Sequence, residues 1–214
     1  MKITANTLLI LLAVTLLSAC DNRSTATKTQ IACFEQIKCA LDSTAHYRHL
    51  LDTKLQDYKR KVADSPNLEA TYYYNKLIAE CYYAFESDSA RMYIEQNQEL
   101  AKLNDRPEWM VDCLLQRSYL GNFEGMLEDV AGTLTQVAQR PKTPVQQQNY
   151  YLECISYWSN RAIFYNLPNP DPMAQAYADS LLAFGDAIPA PMRLHARFWR
   201  ETQPEKKHEL LQEM

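Results

Sequence analysis

The chain has 214 residues, 47% of them hydrophobic, and a formal net charge of −4. That acidity leaves no basic footprint for nucleic acid, and the hydrophobic content is enough for one domain core or an elongated array. Only four glycines occur, at 121, 125, 132 and 185, which disfavours folds rich in tight turns and glycine-lined phosphate loops.

Residues 1–19 read as a lipoprotein signal peptide. Lys2 gives a basic start, Leu8 to Leu17 an apolar run too short to span a bilayer permanently, and Leu17-Ser18-Ala19-Cys20 a lipobox. Cys20 is expected to become the first mature residue, with diacylglycerol on its thiol and a palmitate-type chain on its amine. This lipid anchor would be the sole membrane contact, on the non-cytoplasmic side of the outer or inner membrane of the cell envelope. Residues 20–32 hold the polar run Asp21 to Gln30 and are expected as a flexible tether.

With Cys20 acylated, Cys33, Cys39, Cys81, Cys113 and Cys154 remain, an odd number where disulfides are permitted. Cys33 and Cys39, roughly 9 Å apart along a helix axis, are too far apart to bridge. The other three lie on apolar helical faces and read as buried thiols acting as small hydrophobes, a Cys81 to Cys113 bridge being the alternative.

A helical repeat domain is expected over residues 33–203, opened by one long helix from Cys33 to Ala63. On that helix Phe34, Ile37, Leu41, Leu51, Leu55, Tyr58 and Val62 recur at three and four spacing, with Thr44 and Arg48 interrupting. The seam could pack on the chain's own array or on a second copy, which would make a homodimer through residues 33–63.

Prolines then punctuate a string of helices, and no segment alternates as a strand would. The first pair is Leu68 to Glu86 and Ser87 to Leu103, with Ser87 or Asp88 as the cap of the second helix. The second pair opens at Asp105-Arg106-Pro107-Glu108, which has capping-box spacing, and turns at Gly121 to Met126 into a helix bearing Leu127, Val130, Leu134 and Val137. The third begins at the capping box Thr143-Pro144-Val145-Gln146, and Asp171 caps its second helix, Met173 to Phe184, with Gly185 as a left-handed stop. A final helix lies near Pro191 to Thr202, and residues 204–214 are read as a C-terminal tail.

Ala90 and Met126, like Tyr83 and Tyr119, are separated by nearly the roughly 34-residue tetratricopeptide period. Gly121-x-Phe123-x-x-Met126 resembles that family's Gly-x-Tyr-x-x-Ala turn, where a small residue lets helices cross closely. The expected fold is therefore all-α, a tetratricopeptide-like array of helical hairpins preceded by one long helix.

Two stretches carry a further resemblance: Leu41-Asp42-Ser43 followed by Leu51 to Val62, and Tyr83 to Ala90 with Tyr93 running on to Leu100-Ala101. Together they resemble the extracytoplasmic sensor half of an uncharacterised Bacteroidetes-type membrane regulator family. The resemblance implies sensing rather than catalysis. In that family a spanning helix, a coiled coil and a helix-turn-helix output domain follow the array. None of these is read before Met214, and the lipobox is expected to supply the anchor instead.

Few constellations could carry chemistry. His46-x-x-His49 sits on one helical face near Asp42 and Asp52 and reads as solvated surface rather than a metal site, while His195 and His208 stand alone. The sequence has no nucleophile elbow, Walker loop or dinucleotide fingerprint, so neither an enzyme nor a cofactor is expected. Tyr72, Tyr73, Tyr82 and Tyr83 are the candidate binding surface, because so many rings on one helix cannot all face one core and tyrosine gives contact area at low entropy cost. The preferred reading is a lipid-anchored module that binds a protein or peptide, as the sensing part of an envelope signalling system. The alternatives are a structural subunit of an outer-membrane assembly or nutrient-uptake complex, and a hydrolase with an unfamiliar site.

Overall fold

A computed structural model describes the backbone of residues 5–65, 67–167 and 171–213, and side chains from Gln30 onward except Ala40. Among them are nine α-helices and no strand: α1 Ala5–Asp64, α2 Leu68–Tyr82, α3 Ser87–Leu103, α4 Pro107–Glu124, α5 Leu127–Ala138, α6 Pro144–Phe164, α7 Pro172–Leu182, α8 Ala190–Arg200 and α9 Pro204–Glu213. The chain divides into two compact units, residues 1–54 and 55–214.

In the first unit α1 passes unbroken through residues 20–32, so the expected tether is helical. No proline or glycine occurs in the sequence before Pro66, and nothing there breaks the hydrogen-bond ladder. The side chain of Cys20 and the first four residues of the signal segment lie outside the described residues. Phe34, Ile37, Leu41, Tyr47 and Leu50 are all exposed, Phe34 at 71%. No helix among the described residues is long and apolar enough to cross a membrane.

The second unit begins with the last turns of α1. Leu55 is buried there, Lys59 Nζ donates to the Tyr82 hydroxyl at 2.9 Å, and the Lys61 ammonium lies 5.4 Å from the Tyr74 ring centre. Beyond α1, the helices pack as hairpins α2/α3, α4/α5, α6/α7 and α8/α9, and each hairpin also rests on the next. Ile78, Ile94, Leu120, Ile155 and Leu181 fill the interior, and the fully buried Ala79, Ala90, Ala162, Ala174, Ala178 and Ala196 let helix backbones approach. At the α4/α5 crossing a Cβ on Gly121 would stand 2.7 Å from Val130 Cγ2, so any larger residue would force the two helices or the valine to shift.

Local chemistry sets the helix limits. Thr143 and Gln146 form the expected capping box of α6, and Asp171 accepts from the Met173 amide at 2.8 Å. Two expected caps are corrected. The residue before α3 is Glu86 and that before α4 is Arg106, neither with a side-chain cap, so Ser87 and Asp105 do not serve as read. Asp105 instead adopts φ 50° and ends α3: the amide of Arg106 reaches the Ala101 carbonyl at 2.9 Å and that of Asp105 the Lys102 carbonyl at 3.4 Å. Gly125 closes α4 and Asn166 closes α6 by the same paired bonds, each with positive φ. The turn read over Gly121 to Met126 narrows to Gly125 and Met126, because Gly121 to Glu124 are still inside α4. Gly185 has φ 59° and opens a single 3₁₀ turn after α7. Residues 204–213, read as a tail, form α9. There Leu210 is buried and the Lys207 ammonium sits 5.0 Å from the Phe198 ring centre.

Candidate ligand recess between α4, α6 and α8

The four tyrosines separate into packing and surface. Tyr72 is buried and stacks on Trp109, with ring centres 4.3 Å apart and planes 11° apart. Its hydroxyl lies 3.4 Å from both Asp112 Oδ2 and the Trp109 carbonyl, sharing its one proton between them, and burial pushes its pKa far above the usual phenol range. Tyr82 is also buried, lying against Tyr93 and beside Lys59. Tyr83 is half-buried, 4.8 Å from the Tyr119 ring. Tyr73 alone stands in the open, at 54% exposure. As a correction, Tyr72 and Tyr82 belong to interhelical packing and are closed to any partner, because rings on neighbouring helices cover them.

A network of polar side chains joins α2, α4 and α6. Asp112 on α4 receives Lys76 Nζ from α2 at 3.4 Å and Gln146 Nε2 from α6 at 2.7 Å. Gln146 Nε2 also donates to the Glu108 carbonyl at 2.8 Å, and Gln116 Nε2 to the Lys76 carbonyl at 3.4 Å. The partners lie 34 to 40 residues apart, one helical repeat. At Asn97, within the first hairpin, the buried amide donates to the Tyr72 carbonyl at 2.9 Å.

Further along the array α4, α6 and α8 border an open recess of about 340 Å³. Glu153 of α6 lines it with only 6% exposure, and Asn122 Nδ2 of α4 donates to Glu153 Oε2 at 2.9 Å and to the Glu153 carbonyl at 3.2 Å. Burial raises the Glu153 carboxyl to about 7, and the Asn122 bond only partly offsets that rise. Asn160 Nδ2 holds the Asn122 carbonyl at 3.0 Å, fixing α6 against the end of α4. Tyr119, Phe123 and Trp199 give the recess aromatic walls. Three atoms of residues that line it, Asn122 Oδ1, Ser159 Oγ and His195 Nε2, are buried without a hydrogen-bond partner. Burial also lowers the pKa of His195, which favours the neutral ring. No lysine or arginine lines this recess. A second recess, of about 400 Å³, has the opposite character, with Lys102, Arg106, Arg117 and Arg140 around it.

Sequence reasoning passed over Glu153 and set His195 aside. A signal was available: Glu153 is the single charged residue in the apolar run from Tyr150 to Trp158, so a helix that buries that run buries a carboxylate with it. His46 and His49 are exposed, and no group of three or more His, Cys, Asp or Glu among the described residues is placed to hold a metal ion. Cys113 and Cys154 are buried thiols, each pushed up to about 12 by burial, which suits packing rather than nucleophilic chemistry.

The family described as the SusR N-terminal TPR domain matches residues 41–208, a span that takes in α2 to α8 and the whole recess. No curated protein and no solved structure matches the chain.

Proposed function

Because the chain belongs to the SusR N-terminal TPR domain family, we propose that it is a lipid-anchored helical-repeat module that binds a protein or peptide as the sensing part of an envelope signalling system. The TPR fold is a protein-interaction fold, since stacked hairpins present a long surface on which side chains of several helices converge. The observation that carries the reading is the recess at Glu153. It draws on three helices of the array, and it combines aromatic walls with buried polar groups, the composition expected where a few polar groups orient an occupant. The lipobox ending at Cys20 supports attachment at the non-cytoplasmic face of an envelope membrane. The exposed Phe34, Ile37 and Leu41 are the surface offered for pairing with a second copy.

A photo-crosslinking residue in place of Phe123, at the mouth of the recess, tests the reading in the native envelope. Capture of a regulator supports it. Capture of a barrel or transporter would move the assignment to a structural subunit, and turnover of an envelope substrate without any capture would favour a hydrolase. Replacing Cys20 with serine should release the chain from the membrane fraction, and retention there would refute the lipid anchor. Sedimentation of a Phe34→Ser, Leu41→Ser chain checks the pairing, with loss of a dimer expected.

A further inference from the structure

We propose that the recess between α4, α6 and α8 receives an ammonium group, a lysine side chain or a free amino terminus, of a bound peptide. The proposal rests on the reading of the chain as a peptide-binding module and says what the recess selects. Both donor bonds of the Asn122 amide go to Glu153, and one donor of the Asn160 amide goes to the Asn122 carbonyl. Asn122 Oδ1 can only accept and has no partner, and the Glu153 carboxylate receives a side-chain bond from Asn122 alone. Ser159 Oγ and His195 Nε2, the other two unpartnered atoms, can each donate or accept, so the group of fixed sign left without a cation is the Glu153 carboxylate. An occupant that pairs with that carboxylate brings donors and positive charge, and an ammonium brings three donors with no acceptor of its own.

Charge and walls point the same way. The one carboxylate is nearly buried, and no lysine or arginine of the lining neutralises it. A buried carboxylate without a cation keeps its proton, and burial does hold Glu153 up to about 7. An arriving cation supplies the missing partner. Tyr119, Phe123 and Trp199 line the same place, and a cation that settles over an aromatic face is held there by the ring's quadrupole. A carboxylate ligand would meet Glu153 with like charge. An arginine guanidinium is larger and forked, and Asn122 already occupies one oxygen of the carboxylate it would clasp.

The test is calorimetric titration of the full chain in non-ionic detergent with four probes. They are acetyl-Gly-Lys-Gly-amide, Gly-Gly-Gly-amide, and the same two peptides with every amine acetylated. One amine probe is expected to bind at least about tenfold more tightly than its acetylated form, and which one does so identifies the source as side chain or terminus. Glu153→Gln, which keeps shape but removes charge, should abolish that preference. The thermal midpoint of the variant serves as the folding control. Equal binding of amine and acetylated probes, or a preference that survives Glu153→Gln, would overturn the inference while leaving peptide binding in place. If no probe binds at all, the inference falls as well, and the module reading is then judged on the envelope crosslink alone.

Discussion

Glu153→Gln also makes a prediction about stability, and its size follows from the burial of the carboxylate. Folding raises the Glu153 pKa from the ordinary 4.5 to about 7, so the native state holds its proton more tightly than the unfolded chain does. The stabilisation is complete below about pH 4.5 and is lost as pH rises to about 7, since in that window the native state binds more protons. At about 1.4 kcal/mol per unit, the loss amounts to roughly 3 kcal/mol, which is large against a typical domain stability of about 5–15 kcal/mol. His195, depressed by burial, works in the opposite direction at acid pH, so the comparison must be made against the variant rather than against pH alone. Glutamine retains an oxygen to accept the Asn122 amide and carries no charge to desolvate. Urea unfolding followed by tryptophan fluorescence at about pH 5 and about pH 8 should give near-equal stabilities at the lower pH and a gain of up to about 3 kcal/mol for the variant at the higher. Parallel pH profiles for the two proteins would show that Glu153 is not desolvated in the native state, and the reasoning about the recess would lose its foundation.

Gly121→Ala and Gly132→Ala should move stability in opposite directions. At Gly121 the clash with Val130 costs about 1–3 kcal/mol against a helix-propensity gain of about 1 kcal/mol, whereas at Gly132 open space leaves the gain alone; denaturation midpoints decide, and shifts of equal sign would refute the geometry. Thr143→Ala removes half of a capping box and should cost about 1 kcal/mol, seen as a lower midpoint with unchanged denaturant slope. Tyr72→Ala should cost about 3–5 kcal/mol, because it empties a buried slot against Trp109, while Tyr73→Ala stays within about 0.5 kcal/mol; both are read by thermal unfolding.

The array was legible in the sequence wherever one residue type has one physical use. Threonine three residues before glutamine, with proline between, marked the start of α6, and aspartate before proline marked that of α7. Asp105 misled because its short carboxylate suits two roles. It can cap the next helix or, with positive φ, close the preceding one, and the second applies here. Glu86 sits where a cap was read one residue later at Ser87, a displacement that pattern alone does not resolve. The tyrosines show a different limit. Tyr72 and Tyr73 are chemically identical neighbours, and which of them is covered depends on Trp109, more than thirty residues away. The recess was less legible still, because it is assembled from α4, α6 and α8 and no one of them carries it alone. Asn122 has no visible task until Glu153, 31 residues on, is laid beside it.

The amides and carboxylates that tie α2 to α4 and α4 to α6 also constrain motion. If one hairpin slid along its neighbour by a helical turn, Gln146 would part from both Asp112 and Glu108, and Gln116 from Lys76. Apolar stripes tolerate such slippage, but directional bonds do not. The array is therefore keyed like a zip, with a single admissible alignment of its teeth, and a guest that rearranges it must rock whole hairpins rather than shear them.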